Sequence, residues 1–204
     1  MASRSNAASE LTRFWLQARH NCLVDESLTV RVKINGGGGN SDIDLVAIRA
    51  DLTPFILPNG VRVGPRLIVE AKDEHDWEPT GKEFASLLKK DVEHMNGAAY
   101  IPQGTKGVKF TMLRQEHYEK AQHIFGTADF DRLFVVHAID PSQLATIEKQ
   151  LGEARVHWLT IPQLLEDLLP WYAAHKHPTE LRQSLVGDLL HLLIGFCHLS
   201  PPAV

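Results

Sequence analysis

Cysteine is scarce. Two thiols, Cys22 and Cys197, in 204 residues cannot staple a disulfide framework, and they show no C-x-x-C spacing. Long hydrophobic runs are lacking too: the most apolar stretch, 185–196, is interrupted by Asp188 and His191 and falls short of a membrane span. The opening residues, 1–15, contain no apolar leader core, so the expectation is a reduced, cytoplasmic protein with no membrane segment. Charge of one sign is not in excess either. With 21 Lys and Arg against 25 Asp and Glu the net charge is −4, which argues against coating nucleic acid by charge alone. Eleven histidines lack H-E-x-x-H or Cys/His spacing, no G-x-S-x-G elbow occurs, and no serine or cysteine triad has sequence support.

What is present is an ordinary folding composition, 44% hydrophobic and 23% charged, which excludes disordered and collagen-like chains. The length suits one core with a helical appendage. Leu11, Phe14, Trp15, Ala18 and Cys22 form an amphipathic stripe, predicting a first helix capped by Ser5 or Ser9. Alternation predicts a strand over 28–34, a glycine-rich hairpin connection over 35–40 and a second strand over 43–48. A turn-rich segment follows, then a third strand over 66–72. Thr80-Gly81-Lys82-Glu83 reads as a capping box for a helix with Phe84, Leu87, Leu88, Val92 and Met95 on its apolar face, stopped by Asn96-Gly97. Further expectations are a helix over 112–125, a strand over 133–137, a helix over 140–152, a strand over 156–159, and helices over 162–175 and 179–198. The order predicts an α/β fold with a mixed sheet flanked by helices. Residues 1–160 would form the core and 161–204 a C-terminal helical pair packed on it, with Leu181, Leu185, Leu189, Leu192, Leu193 and Phe196 closing the core or forming a dimer seam.

The chemistry is concentrated in two strands. The second carries Ser41-Asp42-Ile43-Asp44-Leu45-Val46, and the third carries Val69-Glu70-Ala71-Lys72. Side chains alternate across a strand, so Glu70 and Lys72 share a face. Charges on strands that otherwise read as core are costly unless they are paired or bind a metal. Two converging carboxylates suit a hard cation such as Mg²⁺ or Mn²⁺, and a nearby lysine can orient water and offset phosphate charge. That arrangement points to metal-dependent phosphodiester hydrolysis. The alternative is a surface Glu70–Lys72 pair on an edge strand, with Asp44 capping a turn.

The pattern Asp44 … Glu70-Ala71-Lys72, on consecutive strands after an N-terminal helix, resembles the PD-(D/E)xK nuclease superfamily, which includes restriction endonucleases and archaeal Holliday-junction resolvases. The resemblance implies a restriction-endonuclease-like α-β-β-β-α-β core, with Asp44 and Glu70 binding Mg²⁺ and Lys72 serving the attacking water. It also implies that Glu10 on the first helix completes the metal site, although Glu26 precedes the strands too. No Pro-Asp occurs; Ser41-Asp42-Ile43-Asp44 stands in its place. DNA is the implied partner, with Lys82, Lys89, Lys90, Lys106, Lys109 and Arg114 either contacting phosphates or forming a solvated face; Trp77, Trp158 and Trp171 are expected in core packing, with base stacking as the alternative. The net acidity makes a homodimer or an auxiliary DNA-binding subunit a natural companion.

Two other functions fit parts of the pattern. Gly39-Asn40-Ser41-Asp42-Ile43-Asp44 resembles the nucleotidyltransferase superfamily, where Asp42 and Asp44 would bind Mg²⁺ and a nucleoside triphosphate; it leaves Glu70 and Lys72 without a role. A catalytically inactive nucleic-acid-binding module of the same fold would need neither metal nor lysine. Gly36–Gly39 are followed by a strand and lack a Lys-Ser/Thr pair, so neither a dinucleotide fingerprint nor a P-loop is present.

Overall fold

The computed structural model describes residues 7–34, 37–72, 81–139, 141–174 and 186–190. The chain begins with α1 (Ala7–His20) and passes into a long hairpin, β1 (Cys22–Ile34) and β2 (Gly37–Arg49). A two-stranded hairpin, β3 (Phe55–Ile56) and β4 (Arg62–Val63), precedes β5 (Arg66–Lys72). Helices α2 (Gly81–Met95) and α3 (Gln115–Phe125) lead to β6 (Asp131–Val136), and α4 (Glu148–Glu153) leads to β7 (Val156–Thr160) and then α5 (Ile161–Ala174). The five-stranded sheet has the order β1-β2-β5-β6-β7. Strands β1, β2 and β5 pair antiparallel, whereas β5, β6 and β7 run parallel, each crossover being helical. The protein is therefore α/β with a mixed sheet between helical layers.

Alternation along β5 divides the core. Leu67, Val69 and Ala71 face α1 and α5, where Trp15, Leu16, Leu164, Leu168 and Tyr172 are buried. Ile68 faces the opposite way, with Phe134 from β6, into a layer built from Phe84, Leu88 and Val92 of α2 and Ala121 of α3. Burying one such side chain contributes about 1.5–3 kcal/mol, so two covered faces make β5 the least removable strand. Three rings, Phe84, Phe110 and Phe134, meet at centroid distances of 4.9, 5.4 and 5.2 Å. Among the described residues no helix is long and apolar enough to cross a membrane.

Several boundaries differ from the sequence expectation, each for a local reason. The hairpin β3–β4 lies inside the segment read only as turns; its connection contains Asn59 and Gly60, and Gly60 takes a φ of +84° that a hairpin turn demands. The helix expected from Met112 starts at Gln115, because the backbone of Ile101 pairs with Leu113 and Gln115 at 2.8 and 2.9 Å and holds Arg114 extended. Residues 111–113 form a single 3-10 turn instead. The helix expected over 140–152 is a 3-10 turn at Pro141–Gln143 followed by α4, since the β-branched pair Thr146-Ile147 departs from helical geometry, Ile147 having φ −120° and ψ 4°. The stop at Asn96-Gly97 takes the form expected, both residues adopting positive φ. The expected helix over 179–198 lies mainly outside the described residues, of which 186–190 are helical. Thr80 of the capping box and Trp77 also lie outside them.

Candidate active site

Strand β5 has its two edges consumed by β2 and β6 and its two faces covered. Such strands are apolar throughout, and Leu67, Ile68, Val69 and Ala71 obey. Glu70 does not, yet it is only 8% exposed. Lys72, two residues on, places Nζ 3.2 Å from Glu70 Oε1, with the two side chains 17% and 10% exposed. Those fractions put the ion pair inside a central strand and not on a solvated edge. The second oxygen, Oε2, accepts the Met112 backbone N–H at 3.3 Å.

Asp44 joins them through strand register. Pairing of β2 with β5 runs from Ile48↔Arg66 to Leu45↔Val69; one step further the same register sets Asp44 opposite Glu70, where side chains share a face. There the backbone ladder gives way to a side chain: Asp44 Oδ2 accepts the Ala71 N–H at 2.8 Å. Asp44 is also where the packing of β2 changes sides, Ile43 lying in the α2 layer and Leu45 in the α1 layer.

A strap, residues 108–113, covers the third side. The Ser41 hydroxyl donates to Thr111 Oγ1 at 3.0 Å, tying the strap to β2. Together Asp42, Asp44, Glu70, Lys72, Lys109 and Thr111 line an open cleft of about 250 Å³ at the carboxyl end of β5. Crevices at the carboxyl ends of parallel strands are where α/β sheets bind ligands. Beneath the strap, Asp91 of α2 accepts backbone N–H bonds from Lys109 at 2.9 and 3.2 Å and from Phe110 at 2.7 Å. Burial pushes its carboxyl up to about 6; the strap's N–H groups and His94 oppose this, and the Glu70 charge adds to it. His117 of α3, fully buried, has its imidazole pKa lowered by burial, with the Glu70 charge acting the other way.

A larger open groove, about 500 Å³, lies by α4 and the β3–β4 hairpin, lined by Asn59, Glu148, His157 and Trp158 among others. It gathers no pair of carboxylates with a lysine. The cleft at β5 does, and its donor set is all oxygen, the chemistry of a hard cation. Among the described residues no group of three or more His, Cys, Asp and Glu is gathered to hold a metal ion. Two carboxylates nevertheless fit Mg²⁺, which is commonly held by one or two carboxylates, waters and substrate phosphates.

The structure thus brings Asp44, Glu70, Lys72 and Lys109 to one cleft, with Asp42 beside them. Glu10 is not among the residues lining it: its carboxylate binds Arg13 at 2.5 Å on α1, and Arg13 also reaches Glu26 at 3.7 Å. Lys89, Lys90 and Lys106 are exposed and do not line the cleft, Arg114 is buried, and the Lys82 side chain lies outside the description. Trp158 and Trp171 pack against the two core layers. Asp91 and the strap lie outside the motif that the sequence singles out. The signal for Asp91 was available: an acid three residues after Leu88 and four before Met95 interrupts the apolar stripe of α2.

Comparison with protein-family models, with curated proteins and with solved structures finds no match to this chain.

Proposed function

We propose that the chain is a metal-dependent nuclease of the restriction-endonuclease-like kind, hydrolysing DNA phosphodiesters. The observation that carries this is the shared cleft of Asp44, Glu70 and Lys72, two carboxylates and an ammonium held on adjacent strands, Asp44 within β2 and the other two at the carboxyl end of β5. A buried charged group on a central strand costs stability, and its retention there is a mark of function more than of folding. Asp44 and Glu70 would hold Mg²⁺ or Mn²⁺, which when bound supplies an activated water and offsets charge on the phosphate. Met112 N–H on Oε2 and Lys72 on Oε1 fix the orientation of the Glu70 carboxylate. Lys72, anchored by Glu70, presents its ammonium where it orients the attacking water and stabilises a phosphate oxygen. Lys109 lies on the cleft wall where a neighbouring phosphate would pass.

The nucleotidyltransferase alternative fits less well. Gly37–Gly39 belong to β2 and run straight into the strand of Asp42 and Asp44, and Glu70 with Lys72 would have no task. A panel of supercoiled, linear and branched DNA with Mg²⁺, alongside calorimetric titration of a nucleoside triphosphate with Mg²⁺, separates the readings. Cleavage without triphosphate binding is the expected result. Triphosphate binding that depends on Asp42 supports the transferase, and metal-independent DNA binding that survives loss of Lys72 supports a non-catalytic module. DNA is the proposed partner, with a second copy or an auxiliary subunit supplying the positive surface that a chain of net charge −4 lacks.

A further inference from the structure

The strap that walls the cleft has little regular structure. Residues 108–110 belong to no helix or strand, and only the single 3-10 turn at Thr111–Leu113 follows before α3. Phe110 anchors it from one side, 1% exposed between Phe84 and Phe134. Its backbone donors are met by Asp91, itself 1% exposed on α2. Oδ2 takes the Lys109 N–H at 2.9 Å and the Phe110 N–H at 2.7 Å, and Oδ1 takes Lys109 again at 3.2 Å. A carboxylate accepting several N–H groups is a strong, directional clamp. An apolar residue would fill the stripe of α2 at lower cost, because burying a carboxylate is expensive even when it is hydrogen-bonded. What the acid adds is a fixed backbone at residues 109 and 110, two positions ahead of the Met112 N–H that holds Glu70 Oε2 at 3.3 Å. Thr111, between them, is held in turn by the Ser41 hydroxyl.

We infer that Asp91 is a positioning residue for the cleft: it clamps the strap at Lys109 and Phe110, and through the Met112 N–H it sets the orientation in which Glu70 offers its carboxylate to a divalent cation. The effect on the cation rests on the nuclease reading of the site; the effect on the strap does not. Partners that orient a ligating carboxylate typically change metal affinity or activity by about 10- to 100-fold when removed. A residue that served folding alone would lower the amount of native protein without changing the affinity of the native fraction.

The test is Mn²⁺ binding to the full chain, followed by electron paramagnetic resonance, with amide exchange at Phe110 and Met112 measured on the same samples. For Asp91→Ala the expected result is binding weakened about tenfold or more, with faster exchange at both amides. For Asp91→Asn, which keeps one oxygen acceptor at the Oδ2 position, a loss of about threefold is expected. Binding within twofold of the parent in both variants overturns the inference, and if Asp91→Ala does not fold, the Asn variant decides by the same threshold. Plasmid cleavage by the parent is scored in parallel. A parent that binds Mn²⁺ but cuts no DNA removes the nuclease reading and leaves the Asp91 comparison intact; a parent that binds no Mn²⁺ overturns both.

Discussion

Glu70 and Asp91 are two acids in a place where the packing asks for neither, 8% and 1% exposed on either side of the strap. The cost of Asp91 shows up as a pH dependence. Asp91 titrates near 6 in the fold, above the ordinary carboxylate value of 3.8, chiefly because burial penalises its charge. A raised carboxylate binds its proton more tightly in the folded state. Its contribution to stability is therefore full below about pH 4 and is lost as pH rises through about 6. Asp91→Asn has no such titration. Each unit of displacement corresponds to about 1.4 kcal/mol, so the variant should gain about 2 to 3 kcal/mol on the parent between pH 4 and pH 7, read from urea unfolding at the two values. A constant difference would mean that the Asp91 proton is not shifted by folding. The gain in stability and the loss in cation binding have opposite signs, as expected where a site is maintained at the expense of the fold.

At the scale of elements, the strap is the part that matters and the part least visible in the sequence. Strand β5 was legible to the residue, because Arg66–Lys72 is an apolar run punctuated at both ends, and alternation alone set Glu70 and Lys72 on one face. Helix α2 was legible from its stripe and its Asn-Gly stop. The strap was not, since residues 98–111 carry neither period, and its conformation is set by distant partners: Asp91, Phe84, Phe134 and the backbone of Ile101. The β3–β4 hairpin carried its signal in Asn59-Gly60, but with strands of two residues the alternation is too short to detect. Glu10, carried over by resemblance, stands on α1 in an ion pair. Its neighbour one helical turn on, Arg13, is the group that binds it. The strap's dependence on packing yields a prediction. Phe110→Ala removes the ring between Phe84 and Phe134 and should cost about 3–5 kcal/mol of stability in denaturant unfolding. A cost below about 1 kcal/mol would mean that the strap is not packed as described.

Over the whole molecule, the two ends of the parallel strands do different work. The carboxyl end of β5 holds the cleft. At the amino end of β6, Asp131, 3% exposed, accepts from Arg155 at 2.9 and 2.8 Å, from the Gly64 N–H at 2.7 Å and pairs with His157 Nε2 at 3.0 Å. The approach is close enough that a Cβ on Gly64 would meet Asp131 Oδ2 at 2.9 Å. Burial alone would raise the Asp131 carboxyl, but the hydrogen bonds from His157, Arg155 and Gly64 outweigh it and hold the pKa well below the usual range. Its stabilisation is therefore present above the ordinary carboxylate value and is lost as pH falls below it. Asp131→Ala leaves Arg155 and His157 without this partner and should cost about 3 kcal/mol, the lower end for a broken buried pair, because Arg155 is partly exposed. DNA cleavage per folded molecule should be unchanged, since the substitution lies at the other end of the sheet from Glu70 and Lys72. A specific loss of turnover in a fully folded Asp131→Ala protein would contradict this division.

Asp44, Glu70 and Lys72 are proposed to form one metal-dependent hydrolytic site. The measurement that meets it most directly is the rate of cleavage of supercoiled, linear and branched DNA by the parent, Glu70→Ala and Lys72→Ala, each with Mg²⁺ or Mn²⁺ and with chelator, after circular dichroism has shown that all three are folded. The expected result is cleavage by the parent that chelator abolishes, with rates at least about 100-fold lower in both variants. Equal rates in the parent and Lys72→Ala, or a folded parent that cuts none of these substrates with either metal, would contradict it.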